Sequence, residues 1–256
     1  MRILLTNDDG IHAIGLQTLR KVLSKSYDIT LVAPDRQKSA SGHGITVHKP
    51  LRVDKISYGN TTGYAVSGTP ADCVKLALEE LLPYKPDLIV SGINSGPNLG
   101  TDVLYSGTVS AAIEGIISEV PSIAVSLVLE SDNNNNYLTA ANFIAKLAPI
   151  VIKKGLLDDT IVNVNVPDLE SEKIKGIKIT RLGVRKYINC VEKRKDPRGK
   201  NYYWLGGEVK DIEVDNDDSI ITDIKAVSDG YISVSPVHFD LTNYNIIKEL
   251  ETWNIN

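Results

Sequence analysis

Asn7-Asp8-Asp9-Gly10 sets two carboxylates side by side directly after an apolar run, with a glycine to turn the chain. Adjacent carboxylates repel each other. A tight turn at Gly10 brings both toward one centre, where a hard cation relieves the repulsion. Carboxylate and amide oxygens suit Mg2+ or Mn2+, ions that keep several waters for a substrate or a nucleophile. His12, His43, His48 and His238 make no HxxxH or HExxH pair, and Cys73 and Cys190 make no CxxC, so a metal bound here is oxygen-ligated. Taken alone, the tetrapeptide reads as a turn.

Two further segments carry anion-binding chemistry. PDRQKSASGHGIT (34–46) offers hydroxyls at Ser39 and Ser41, close backbone approach at Gly42 and Gly44, and positive charge at Arg36 and Lys38. Successive amides beside small residues form concavities that fit phosphate. SGINSGPNLGTDVLYSGTVSAAIEG (91–115) places Asn94 and Asn98 before Ser106-Gly107-Thr108, which opens an alanine-rich helical pattern. Unpaired amides and the positive end of the helix dipole make such a start a phosphate site. The chain has neither the GxxxxGK[ST] loop of nucleoside triphosphatases nor the GxGxxG fingerprint of dinucleotide binders.

These segments need elements to hold them. Apolar runs at Arg2–Thr6, 29–33, 87–91 and 122–126 read as buried parallel strands, each followed by a helical pattern. Leu16, Leu19, Val22 and Leu23 mark one face of a helix over 15–26, and Thr69 with Pro70 starts another over 69–82. Within the latter, Cys73 reads as a buried small apolar group and Asp72 as a surface or structural residue. Strands alternating with helices predict a Rossmann-like, doubly wound, mainly parallel α/β sheet. Such sheets bind ligands beyond the carboxyl ends of their strands, where all three segments fall. Asn133 to Asn136 reads as a surface loop before a helix over 137–153. After residue 167, alternating runs at 177–182 and 202–205 flank a charged stretch and predict a long antiparallel hairpin, with Lys193-Arg194-Lys195 at a solvated tip. We expect a single α/β domain over 1–256, with a metal- and nucleotide-binding core at 1–175 and a hairpin and C-terminal helix in 176–256.

Composition narrows the function. With 256 residues, 42% hydrophobic and 23% charged, the chain can bury a sizeable core. A net charge of -4 without a basic domain argues against long nucleic acid as a partner. No run is long enough for a membrane span or a signal-peptide core, and two distant cysteines fit a reducing cytoplasm.

MRILLTNDDGIHAIGLQTL, APDRQKSASGHGIT, GTPADCVKLAL, SGINSGPNLGTDVLYSGTVSAA and the late DGYISVSP resemble, in order, the signatures of the SurE family of survival-protein 5'-nucleotidases. The resemblance covers nearly the whole chain. It implies one divalent cation per subunit on Asp8, Asp9, Ser39 and Asn94, and phosphate near Ser41, Gly42, Asn98, Ser106, Gly107 and Thr108. Gly44 stands where many relatives carry serine. The family's substrates are nucleoside 5'- and 3'-monophosphates and often short polyphosphate. Its members form dimers and tetramers by exchanging a hairpin and a C-terminal helix, a role that 244–253, with Ile247, Leu250 and Trp253 on one side, would fill here.

The expected chemistry is metal-assisted attack of water on a phosphomonoester, with Asp8 and Asp9 as the catalytic carboxylates and Asp8 as the candidate base. An aspartyl-phosphate at Asp8 is the mechanistic rival. A non-catalytic metal and nucleotide sensor is the alternative function; it would bind nucleotide and release no phosphate.

Overall fold

Strands and helices alternate from the N-terminus, as the apolar runs require. The computed structural model describes residues 1–129, 136–212, 220–253 and 255. Its strands are β1 (Arg2–Thr6), β2 (Asp28–Pro34), β3 (Val53–Tyr58), β4 (Thr61–Val66), β5 (Leu88–Ser95), β6 (Ser122–Val128), β7 (Thr160–Pro167), β8 (Ile177–Ile179), β9 (Val184–Ile188), β10 (Val191–Lys195), β11 (Asn201–Leu205), β12 (Glu208–Ile212) and β13 (Ile232–His238). The helices are α1 (Ile14–Leu23), α2 (Pro70–Leu76), α3 (Gly107–Ile117), α4 (Tyr137–Lys154), α5 (Asp223–Ser228) and α6 (Ile247–Glu251).

Nine strands form one sheet in the order β3-β4-β2-β1-β5-β6-β7-β13-β8. The six from β4 to β7 run parallel; β3 and β13 are antiparallel to β4 and β7. Side chains alternate across each strand, so β1 feeds both faces. Ile3 and Leu5 pack with Leu16, Leu19 and Leu23 of α1 and Ile144 and Ala148 of α4. Leu4 packs with Cys73 and Val74 of α2 and Ala111 of α3. The sheet is therefore doubly wound. Its strand order reverses at β1, and a crevice opens there between the carboxyl ends of β1 and β5.

The helix expected over 69–82 is α2 followed by a π-helical turn, Ala77–Leu81. Thr69 Oγ1 accepts from the Asp72 amide while the Asp72 carboxylate accepts from the Thr69 amide, a reciprocal cap that explains a buried aspartate. Cys73 is fully buried. The loop expected at 133–136 lies outside the described residues except for Asn136, which precedes α4.

The hairpin differs from its expected bounds. Its arms are β9 with β12 and β10 with β11, and Lys193, Arg194 and Lys195 are exposed residues of β10 leading into the tip. The run 177–182 is not an arm: β8 pairs in parallel with β13 at the edge of the main sheet. Alternation suggests a strand but not its partner or its burial: the open edge of β13 claims this one, and all three of its residues are exposed. The segment 176–256 thus also supplies β8, α5 and β13 to the core sheet layer. At the C-terminus the expected ten-residue helix is a 3-10 turn, Tyr244–Ile246, followed by α6, with Ile247, Leu250 and Trp253 exposed. No helix among the described residues is long and apolar enough to cross a membrane.

Candidate functional site

The carboxyl end of β1 is shaped by Asn7. Its Nδ2 donates to the Gly10 carbonyl at 3.0 Å and its Oδ1 accepts from the Gly10 amide at 3.2 Å, closing the turn on itself. Gly10 has φ +102°, and a Cβ there would sit 3.2 Å from the Arg36 carbonyl carbon, so the turn needs glycine on both counts. Each aspartate is then held through one carboxylate oxygen. Thr108 Oγ1, at the start of α3, donates to Asp8 Oδ1. Asp9 Oδ2 accepts from the Ser95 amide, at the end of β5, at 2.9 Å.

Burial pushes the Asp8 carboxyl up to about 6; the Thr108 hydroxyl opposes the rise and the neighbouring Asp9 charge adds to it. Asp9 is raised as well, by burial that the Ser95 amide only partly offsets. A buried carboxylate beside a second, partly buried one favours uptake of a proton or a cation.

The oxygens around them fit a hard cation. Ser39 and Asn94 line the same cleft as Asp8. Asn94 Nδ2 donates to the Gly96 carbonyl at 2.9 Å, which fixes the amide and leaves its Oδ1 as the outward donor atom. Ser39 Oγ accepts from Gln37 Nε2 at 2.9 Å and keeps its remaining lone pair. Among the described residues no three His, Cys, Asp or Glu side chains cluster as a metal site. The donor set is two carboxylates completed by neutral oxygens, a composition suited to Mg2+ or Mn2+.

The phosphate-binding candidates converge from the other side. Ser106 caps α3, its Oγ accepting from the Val109 amide at 3.0 Å, which leaves the hydroxyl hydrogen to donate. The Gly107 and Thr108 amides belong to the first turn, which has no intrahelical carbonyls to receive them. A Cβ on Gly107 would come within 2.8 Å of Asp8 Cβ and 3.0 Å of Ser41 Oγ. The helix start, the carboxylate and the loop serine therefore meet at one point. Ser41 Oγ is buried there without a hydrogen-bond partner, an orphaned donor beside the helix start, where the Thr108 amide also faces the Asp8 carboxylate. Gly42, at φ +53°, spends its amide on the Tyr105 carbonyl at 3.1 Å and fastens the loop to the turn before α3.

Asn98 stands apart from this cluster in its bonding. Its Nδ2 donates to Ser126 Oγ at 2.7 Å, its amide donates to Asn165 Oδ1 at 2.9 Å, and its carbonyl accepts from Asn163 and Asn165. This buried amide network ties the 96–105 loop to β6 and β7. Asn163 and Asn165 were not singled out from the sequence, yet TIVNVNVP carries a signal: two asparagines at i and i+2 of an apolar strand share one face.

A cleft of about 1050 Å³ opens from Asp8, Ser39, Asn94 and Asn98 toward the hairpin base, where Arg185, Lys186 and Tyr187 form the far wall. Asp102 receives Arg185 Nη1 at 3.2 Å and Tyr187 Oη at 2.9 Å. Asp223 accepts from the Gly100 amide at 2.7 Å and the Gly183 amide at 2.8 Å. These long-range bonds hold the hairpin base over the turn that leads into α3. Spacing in the sequence carries no hint of them.

Comparison with known proteins gives a consistent picture. The family model described as Survival protein SurE matches residues 3–189. A protein named 5'-nucleotidase SurE from Carboxydothermus hydrogenoformans is 58% identical over 99% of this chain and 96% of its own. Another of that name from Heliobacterium modesticaldum is 56% identical, covering 99% and 92%. The crystal structure of the SurE protein from Aquifex aeolicus superposes with a TM-score of 0.82 at 43% identity, covering 98% of each chain.

Proposed function

The chain belongs to the SurE family, and from that premise and the site geometry we propose that it is a divalent-metal-dependent 5'-nucleotidase. It hydrolyses nucleoside 5'-monophosphates, with 3'-monophosphates and short polyphosphate as further candidates, to release inorganic phosphate. The observation that carries the reading is the meeting of a carboxylate pair raised by burial, Asp8 and Asp9, with the first turn of α3 at Gly107 and the orphaned Ser41 hydroxyl.

Asp8, Asp9, Ser39 and Asn94 would hold Mg2+ or Mn2+. Bound there, the ion supplies positive charge to the phosphoryl oxygens and Lewis acidity toward the attacking water. The Gly107 and Thr108 amides and Ser41 Oγ bind the phosphoryl oxygens, placing them on the helix dipole. Asp8, oriented by the Thr108 hydroxyl, is positioned to accept the proton that the attacking water loses. Binding and positioning at these fixed donors supply most of the rate.

The cleft favours a nucleoside over a bare phosphate. Its volume of about 1050 Å³ far exceeds what one phosphoryl group fills, and Tyr105 and Tyr187 expose aromatic surface along it. Stacking on aromatic faces accepts any base. Among the described lining residues Arg185 and Lys186 are the cations, and Arg185 is engaged by Asp102 and Asp211, which favours a monophosphate over a long polyanion.

Assembly into a homodimer or homotetramer by exchange of the hairpin and C-terminal segment would cover the exposed Tyr203, Trp204, Leu250 and Trp253. A cytoplasmic location agrees with the unpaired Cys73 and Cys190. The test is phosphate release from a panel of 5'- and 3'-nucleoside monophosphates with Mg2+ or Mn2+. Turnover of 5'-monophosphates is expected; nucleotide binding without phosphate release would identify the sensor instead.

A further inference from the structure

Glu114 lies on α3, two turns beyond the phosphate-binding start, and its side chain is only 5% exposed. Its two oxygens face two cations or potential cations: Oε2 is 2.9 Å from His43 Nε2 and Oε1 is 3.2 Å from Lys75 Nζ of α2. The His43 contact holds this carboxyl below the ordinary range, burial opposing it and Lys75 assisting. A buried acid bonded on both oxygens is ionised and fixed in place.

His43 is the residue that makes this cluster more than internal bracing. It follows Ser41 and Gly42 directly in the irregular segment between β2 and β3, which has no sheet ladder or helix to set its shape. The segment is pinned by isolated bonds: the Gly42 amide to the Tyr105 carbonyl at 3.1 Å, Thr69 Oγ1 to the Gly44 carbonyl at 2.7 Å, and the Thr46 amide to Asp72 Oδ1 at 2.9 Å. Among the described bonds, the His43 contact with Glu114 is the one from a side chain of this segment to α3. That helix also supplies the Gly107 and Thr108 amides.

We infer that Glu114 is a positioning residue for the phosphate subsite, acting through His43 to hold Ser41 and Gly42 against the first turn of α3. The inference rests on the phosphate-binding role proposed above. Its chemistry is a clamp: one buried carboxylate on the helix fixes, through a single imidazole, the loop that must present a hydroxyl at hydrogen-bond distance from the same anion. Loosening it costs phosphate affinity while leaving the carboxylate pair at Asp8 and Asp9 in place.

The experiment measures inorganic phosphate binding by calorimetry in the presence of Mn2+, alongside KM and kcat for a nucleoside 5'-monophosphate. His43→Ala and Glu114→Gln each are expected to weaken phosphate about fivefold to tenfold and to raise KM in parallel, with non-additive effects in the double variant. His43→Gln, which can still reach Glu114 with an amide donor, should recover most of the loss. Lys85→Ala, remote from the clamp, serves as control, and thermal unfolding of each variant shows that it is folded. Wild-type-like phosphate affinity in folded His43→Ala, or independent additive effects of the two substitutions, would overturn the inference. Failure of the wild-type protein to bind phosphate would instead refute the phosphate site itself.

Discussion

Asp8→Asn should stabilise the metal-free protein at neutral pH while abolishing its stabilisation by metal. The sign follows from linkage. Asp8 has an ordinary carboxyl value of 3.8 and is raised to about 6 in the fold, so the native state holds its proton more tightly than the unfolded chain does. Stability from this group is fully present below 3.8, falls as pH rises between the two values, and is lost above about 6. The gap corresponds to ~3 kcal/mol of native-state cost at pH 7.5, an order-of-magnitude value. Asparagine is isosteric, stays neutral and can still accept from Thr108, so it removes most of that cost. For a chain of this size, ~2 kcal/mol recovered raises Tm by roughly 5 °C. Thermal scans of chelator-treated wild type and Asp8→Asn from pH 4.5 to 8 test this. The wild-type Tm should decline relative to the variant's as pH rises through 6, and Mn2+ at 100 times its Kd should restore ~2.7 kcal/mol to the wild type alone. A metal-free Asp8→Asn protein that is less stable than wild type at pH 7.5 would refute the reasoning, because the carboxylate would then be satisfied by the protein itself.

Other outcomes follow from the same geometry. Gly107→Ala places a Cβ 2.8 Å from Asp8 Cβ and 3.0 Å from Ser41 Oγ, and should lower kcat/KM more than about tenfold and lower Tm as well, since the buried neighbours must shift at a cost of about 1–3 kcal/mol. Asp223→Ala leaves the Gly100 and Gly183 amides without their acceptor and should cost about 2–4 kcal/mol in denaturant unfolding. Rapid-quench mass spectrometry during turnover should find no phosphorylated aspartate if water attacks directly; a trapped adduct on Asp8 would establish the covalent route. Deleting the hairpin tip, residues 192–204, should lower the oligomeric state seen by sedimentation, and an unchanged assembly would remove the hairpin from the proposed interface.

Much of this molecule is legible in its sequence because its core obeys local periodicities. The runs that become β1, β2, β5 and β6 are short, apolar and bounded by turn residues, and Leu16, Leu19 and Leu23 repeat at helical spacing, so burial and hydrogen bonding agree on one answer. The same order places the Asp8-Asp9 turn, the Ser39 loop and the Ser106 helix start at adjacent strand ends. What sequence reading misses depends on partners distant along the chain. Ile177 and Ile179 alternate in the sequence as a half-buried strand would, yet both are exposed on β8, and only the free edge of β13 decides where they pair. Asn98 lines the cleft and is also held by Asn163, Asn165 and Ser126 from two other strands, partners that no local spacing marks. Ser106 also caps α3, a structural use of its oxygen that leaves the hydroxyl hydrogen to donate. Glu114 lies in a small-residue helix pattern where nothing local marks it, and its significance appears only when loop and helix are brought together.

The central claim is that the paired aspartates hold a divalent cation on which phosphomonoester hydrolysis depends. The most direct measurement is phosphate release from adenosine 5'-monophosphate by chelator-treated wild type and Asp8→Asn, before and after adding back Mn2+. The metal-centred site predicts no release from either protein without metal, recovery in the wild type with about one ion per subunit, and none in the variant. Full hydrolysis by the metal-free wild type, or metal-restored turnover in Asp8→Asn, would contradict it.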